Sequence, residues 1–140
     1  FKIVTERFGR LEEGAYAHYF AGKCALEDGR NVHAIERFER YLDRAGAYPF
    51  FRDAAMEGIA VAWLNEGDYR KAADTYLRLA DDTKTNSFMQ ASYLRQAADA
   101  LKLGRRHEEA IDVLKRLHEL SSGIDKRDIG IEIEVLRLNT

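Results

Sequence analysis

Four histidines, one cysteine and three acidic pairs are the residues of this 140-residue chain with the most chemical reach. His18, His33, His107 and His118 fall in different segments or too far apart for a paired ligand motif, and no carboxylate stands where it would complete a tetrahedral set. The spacing predicts no metal site; His107 is expected to take the turn-packing place that Tyr69 holds one unit earlier. A cysteine becomes a nucleophile when a base or cation favours its thiolate. No histidine is placed by sequence to activate Cys24, so a packed small residue is expected there. Glu12 with Glu13, Asp81 with Asp82 and Glu108 with Glu109 lie near expected helix ends, where solvation and the helix dipole account for them. The sequence has no glycine-rich phosphate loop and no serine elbow. These residues predict a non-enzyme with no cofactor and no metal.

Composition narrows the partners. At 46% hydrophobic residues the chain can build one core, and it has no run of eighteen apolar residues, so direct membrane insertion is not expected. Its 22 Lys and Arg balance 24 Asp and Glu, which leaves no net field to recruit nucleic acid, and Arg70–Lys71 and Arg105–Arg106 sit near carboxylates. The single cysteine excludes an internal disulfide and does not choose a compartment. A start at Phe1 rather than Met, without a signal peptide, is expected of a processed chain or of a piece of a longer protein, and the second is preferred.

One proline, ten glycines and apolar residues at three- and four-residue intervals predict an all-α fold. Helices are expected near Phe1–Phe8, Glu12–Glu27, Val32–Arg44, Phe51–Asn65, Tyr69–Asp81, Ser87–Leu103, Arg106–Ser121 and Lys126–Leu138. Gly29, Gly67 and Gly104 suit left-handed helix ends, Pro49 disfavours continuation, and Asn86 or Ser87 can cap an N-terminus. In "DIGIEIEVL" alternate residues are apolar, as in a strand, yet Ile129, Ile133 and Leu136 also form a helical stripe. Helix is the expectation, because a lone strand has nothing to pair with.

Ala34, Ala72 and Ala110 lie 38 residues apart twice over, each near the start of the second helix of a pair. Gly22, Ala60 and Ala98 form a second column, Cys24, Ala62 and Ala100 a third, and Phe38, Tyr76 and Leu114 a bulky fourth. Gly29 and Gly67 keep the step, whereas Gly104 arrives one residue early, so an inserted residue and a reshaped third turn are expected at "GRRHEE". Helices approach closely only where side chains are small, and bulk beside the crossing fills the remaining space. Each hairpin then leaves an apolar face that a neighbour must cover, which predicts a curved solenoid.

These columns resemble the tetratricopeptide repeat family. Its small residue, glycine turn, alanine and aromatic are matched in "AGKCALEDGRNVHAIERF" and most fully in "IAVAWLNEGDYRKAADTY", with a departing third copy in "AADALKLGRRHEEAIDVL". The resemblance implies a right-handed superhelical solenoid within one domain: 1–11 the tail of an upstream repeat, 12–48, 49–85 and 86–123 three repeats, and 124–140 a capping helix. The long period and "YPFFRDAAMEGIAVAWLNEGDYRKAADTYLRLA" are similar to bacterial envelope members, including the ancillary subunit of the Sec translocon and the partners of outer-membrane assembly and cell division, which implies the periplasm or cell envelope ahead of the cytoplasm, with an upstream half-repeat and a membrane anchor before Phe1.

For function, the resemblance implies a non-catalytic scaffold that binds a peptide or helix of a partner protein in a concave groove. The groove positions of the repeating frame are Tyr16, Tyr19, Lys23, Leu26, Glu57, Val61, Leu64, Arg95, Asp99 and Lys102, with Tyr19 and Arg95 as leading contacts. The family's carboxylate clamp is not reproduced, since its asparagines and second basic pair are missing. Two alternatives stand beside this. Phe1, Ile3, Val4 and Phe8 could stack terminal helices into a homo-oligomer, and clustered perturbed carboxylates would mark a small-ligand binder or enzyme.

Overall fold

The computed structural model describes residues 2–46 and 48–140, with side chains from Glu12 onward. The described residues form seven α-helices: α1 (Lys2–Glu27), α2 (Asn31–Leu42), α3 (Arg52–Asn65), α4 (Tyr69–Asp82), α5 (Ser87–Leu103), α6 (His107–Leu120) and α7 (Gly123–Leu138). A short 3₁₀ turn, Pro49–Phe51, precedes α3. The fold class is all-α, with helices packed on chain neighbours, consistent with an α solenoid of tetratricopeptide-like repeats. Packing divides between Glu66 and Gly67 into two compact units. In the first, α2 packs on α1 and α3, and α1 also meets α3; in the second, α4, α5, α6 and α7 each pack on the next.

The sequence predicts a break between Phe8 and Glu12, but α1 runs unbroken from Lys2 to Glu27. Each interior glycine costs a helix only about 1 kcal/mol relative to alanine, too little for Gly9 and Gly14 to interrupt so long an element. The expectation that Phe1, Ile3, Val4 and Phe8 seek cover, and self-association with it, lies outside the residues whose side chains are described.

The 38-residue frame holds through both hairpin turns that follow. Helices α1, α3 and α5 end at Glu27, Asn65 and Leu103, and α2, α4 and α6 begin at Asn31, Tyr69 and His107. Ala34, Ala72 and Ala110 are fully buried, as are Ala60 and Ala98; Phe38, Tyr76 and Leu114 are buried beside them. Close approach is most direct around Phe38. A Cβ on Gly22 of α1 would fall 2.7 Å from its ring, and one on Gly58 of α3 would fall 2.5 Å from the ring's other edge.

Two expectations are corrected here. The third turn is not reshaped and carries no insertion: Gly29 and Gly67 have φ of 76° and 78°, and Arg105, in step with them, takes φ 57°. Its hydrogen bonds repeat the first turn, with Arg106 N–H donating to the Leu101 carbonyl as Arg30 N–H donates to that of Ala25. Gly104 is needed for a different reason, because a Cβ there would sit 3.1 Å from the Cβ of Tyr69. At the equivalent place in the first unit, a smaller residue, Asn31, donates to Glu66 at 3.1 Å. Tyrosine in place of asparagine therefore forces glycine in place of glutamate. Second, Cys24 is exposed. In α3 the same column holds Ala62, which joins the core formed with Ala34 and Ile35 of α2.

Candidate interaction surface

Three of the projected positions come together on α5. Arg95, Asp99 and Lys102 follow at helical spacing on one face, and Glu132 of α7 reaches them. Arg95 Nη1 donates to both Glu132 oxygens at 3.1 and 2.9 Å, and Lys102 Nζ donates at 2.6 Å. Asp99 completes the cluster, 3.6 Å from Arg95 and 3.8 Å from Lys102. Burial pushes the Glu132 carboxyl up, but the hydrogen bonds and charges of Lys102 and Arg95 outweigh it and hold it below the usual carboxylate range. Arg95, expected as a leading partner contact, is thus engaged within its own unit, where it clasps α7 to α5.

Beside this clasp opens a cleft of about 580 Å³ between α5 and α7, over the end of α6. Leu117 and Ile129 are buried at its base, whereas Phe88 and Leu120 are exposed at its edges. Asp125 and Asp128 line the α7 side.

The sequence frame misses part of this surface because the last connection is short. Thr83–Asn86 separates α4 from α5 with four residues, but only Ser121 and Ser122 separate α6 from α7. Helix α7 therefore enters two residues early and matches α5 at a step of 36. Its buried Ile129, Ile133 and Leu136 correspond to buried Tyr93, Ala97 and Ala100. By the same step the face that bears Phe88, Arg95, Asp99 and Lys102 continues on α7 as Ile124, Ile131, Val135 and Leu138, all at least half exposed. Their spacing along α7 was the available signal, once the two-residue link is counted.

In the first unit the projected residues range from buried to exposed. Tyr19 is not an exposed contact as expected; it is buried, with its ring stacked on Phe51 at 4.4 Å and an interplanar angle of 5°. Tyr16 packs edge-on to Phe51 and stacks on Tyr41. The Tyr41 hydroxyl donates to the Tyr48 carbonyl and accepts from Phe51 N–H at 2.9 Å, fixing the connection that lays Phe51 over Tyr19. "YPFF" was the overlooked signal. Leu26 is half-buried against the core, Glu57 and Leu64 are half-buried, and Lys23 and Val61 are exposed. Phe20 and Phe50, absent from the projected set, are exposed beside Phe51.

The chemistry-bearing residues remain scattered. Arg37 donates to His18 Nδ1 at 3.4 Å, and His33 lies 4.0 Å from Glu36. His107 stands at the first position of α6, in step with Tyr69 at the start of α4. Among the described residues no three His, Cys, Asp or Glu side chains gather as a metal site would require, and no helix is long and apolar enough to cross a membrane.

No protein-family model matches the chain. It is similar to two proteins named Photosystem I assembly protein Ycf3, from Prochlorococcus marinus strains MIT 9303 and MIT 9313. Each is 30% identical over 96 residues, covering 69% of this chain and 53% of the relative. The protein of the same name in strain MIT 9211 is 25% identical over 87 residues, 58% of this chain and 50% of its own. The chain thus spans about half the length of the curated relatives it matches. Similarity to these tetratricopeptide-containing proteins, beside hairpins that repeat at 38 residues, suggests the tetratricopeptide repeat family for this chain.

Proposed function

We propose that this chain is a non-catalytic scaffold that holds a peptide or helix of a partner protein while a larger complex is assembled. The observation that carries this reading is a repeated one. Phe50, Phe88 and Ile124 occupy equivalent places near the starts of α3, α5 and α7, and are 80%, 81% and 77% exposed. A single exposed apolar residue is ordinary, but large ones left open at the same place of the repeat, before α3 in the first unit and on α5 and α7 in the second, mark positions made for contact. Small residues at the crossings make this affordable, since hairpin packing is completed without these side chains. The relatives are named for the assembly of photosystem I, which agrees with a binding role rather than an enzymatic one. They lend no support to a place in the bacterial envelope or to a membrane anchor.

Affinity capture from cells that express the full-length protein, with wild type beside the Phe50→Ser/Phe88→Ser variant, tests the proposal. Both side chains are exposed, so helicity and thermal midpoint should stay unchanged while a defined set of captured proteins is lost. An identical set from both proteins overturns it.

A further inference from the structure

The cleft between α5 and α7 has a chemistry of its own, which sets the kind of segment it can accept. Its volume of about 580 Å³ falls within the ~300–1,000 Å³ typical of binding clefts. Leu117 and Ile129 give an apolar base, and the exposed Phe88 and Leu120 give apolar edges, so the cleft can take one large apolar side chain and desolvate it. Its charge is one-sided. Arg95, the only cationic residue lining the cleft among the described residues, has both Glu132 and Asp99 against it. Asp125 and Asp128, one turn apart on α7, line the cleft without a salt bridge among the described residues. Asp125 also favours the helix start through the backbone dipole; Asp128 lies beyond the first turn, where that effect has faded.

We infer that this cleft binds a basic amphipathic peptide segment of a protein, with an apolar side chain seated between Phe88 and Leu120 and a lysine or arginine set against Asp125 and Asp128. The inference rests on the scaffold reading above and gives it a partner chemistry. Charge complementarity selects the partner: an acidic segment would meet two unneutralised carboxylates, and a purely apolar one would leave them facing no counter-charge. The apolar base argues against a free cation as occupant, because Leu117 and Ile129 offer it nothing.

Selection from a phage-displayed random peptide library against the wild-type chain tests this, with selected peptides then measured by fluorescence anisotropy. Expected are peptides that pair a leucine, methionine or aromatic residue with lysine or arginine. They should bind about fivefold to tenfold more weakly to the Asp125→Asn/Asp128→Asn variant, and more weakly still as salt is raised. Phe88→Ala should weaken binding independently of salt. Far-UV circular dichroism confirms that the variants remain folded, as expected for exposed positions. Peptides without basic residues, or binding that both variants leave unchanged, overturn the cleft assignment while the scaffold reading stands. Failure to select any peptide overturns both. Sedimentation showing dimers that Phe88→Ala dissolves overturns the peptide occupant in favour of a second copy.

Discussion

At the scale of single residues, Arg105 and Gly104 exchange the roles that spacing assigns them. The left-handed region costs an L-residue roughly 1–2 kcal/mol, and Arg105 bears that cost at φ 57°, while Gly104 beside it leaves room for Tyr69. Replacing Arg105 with glycine removes the steric strain, partly offset by the greater freedom of an unfolded glycine. Arg105→Gly should therefore raise unfolding stability by about 0.5–1 kcal/mol, read as a higher urea midpoint at unchanged slope. Gly67→Ala is the counterpart. Nothing lies within 4 Å of a Cβ there, so its expected loss of about 1 kcal/mol would report the backbone alone. Equal midpoints for Arg105→Gly and wild type would show that the turn stores no strain.

At the scale of helices, the fold was legible wherever packing is decided by side-chain size, because size can be read from a sequence. Ala34, Ala72 and Ala110 recur at a step of 38 residues and all three are fully buried. The surface was less legible, since exposure depends on what covers a position. Tyr19 shares a column with Glu57 and Arg95 but is buried because a 3₁₀ turn folds Phe51 over it, and the face of α7 shifts because its connection is two residues shorter. Phe38 gives this scale its test. The ring is 1% exposed and lies between Gly22 and Gly58, so it has no direction in which to yield. Gly58→Ala should cost about 2 kcal/mol by overpacking, more than the gain alanine brings to a helix interior. Adding Phe38→Leu should recover part of it, a non-additivity that a double-mutant cycle measures. Additive losses would mean that the ring and the glycine do not meet.

At the scale of the whole molecule, acid stability should depend on the Glu132 clasp. Glu132 has a folded pKa below its ordinary value of 4.5, so its contribution is present above that value and is lost as pH falls through the lowered one. His18 acts over a higher window. Burial, then the charges of Arg44, Arg37 and Arg40, lower its pKa from 6.5, so the fold disfavours its protonation and stability falls as pH drops below about 6.5. Wild-type stability should thus decline in two steps on acidification. Glu132→Gln should lower stability at neutral pH, because Arg95 and Lys102 lose their counter-charge, and should abolish the lower step while sparing the upper one. His18→Asn should do the reverse. Urea midpoints measured from pH 7 to pH 3 separate the two, and a Glu132→Gln profile parallel to wild type throughout would mean that the clasp contributes nothing to folding. Because Glu132 holds α7 against α5 beside the cleft, the same variant should also weaken selected peptides at pH 7. Stability and recognition would then fall together from the loss of one carboxylate that never touches the peptide.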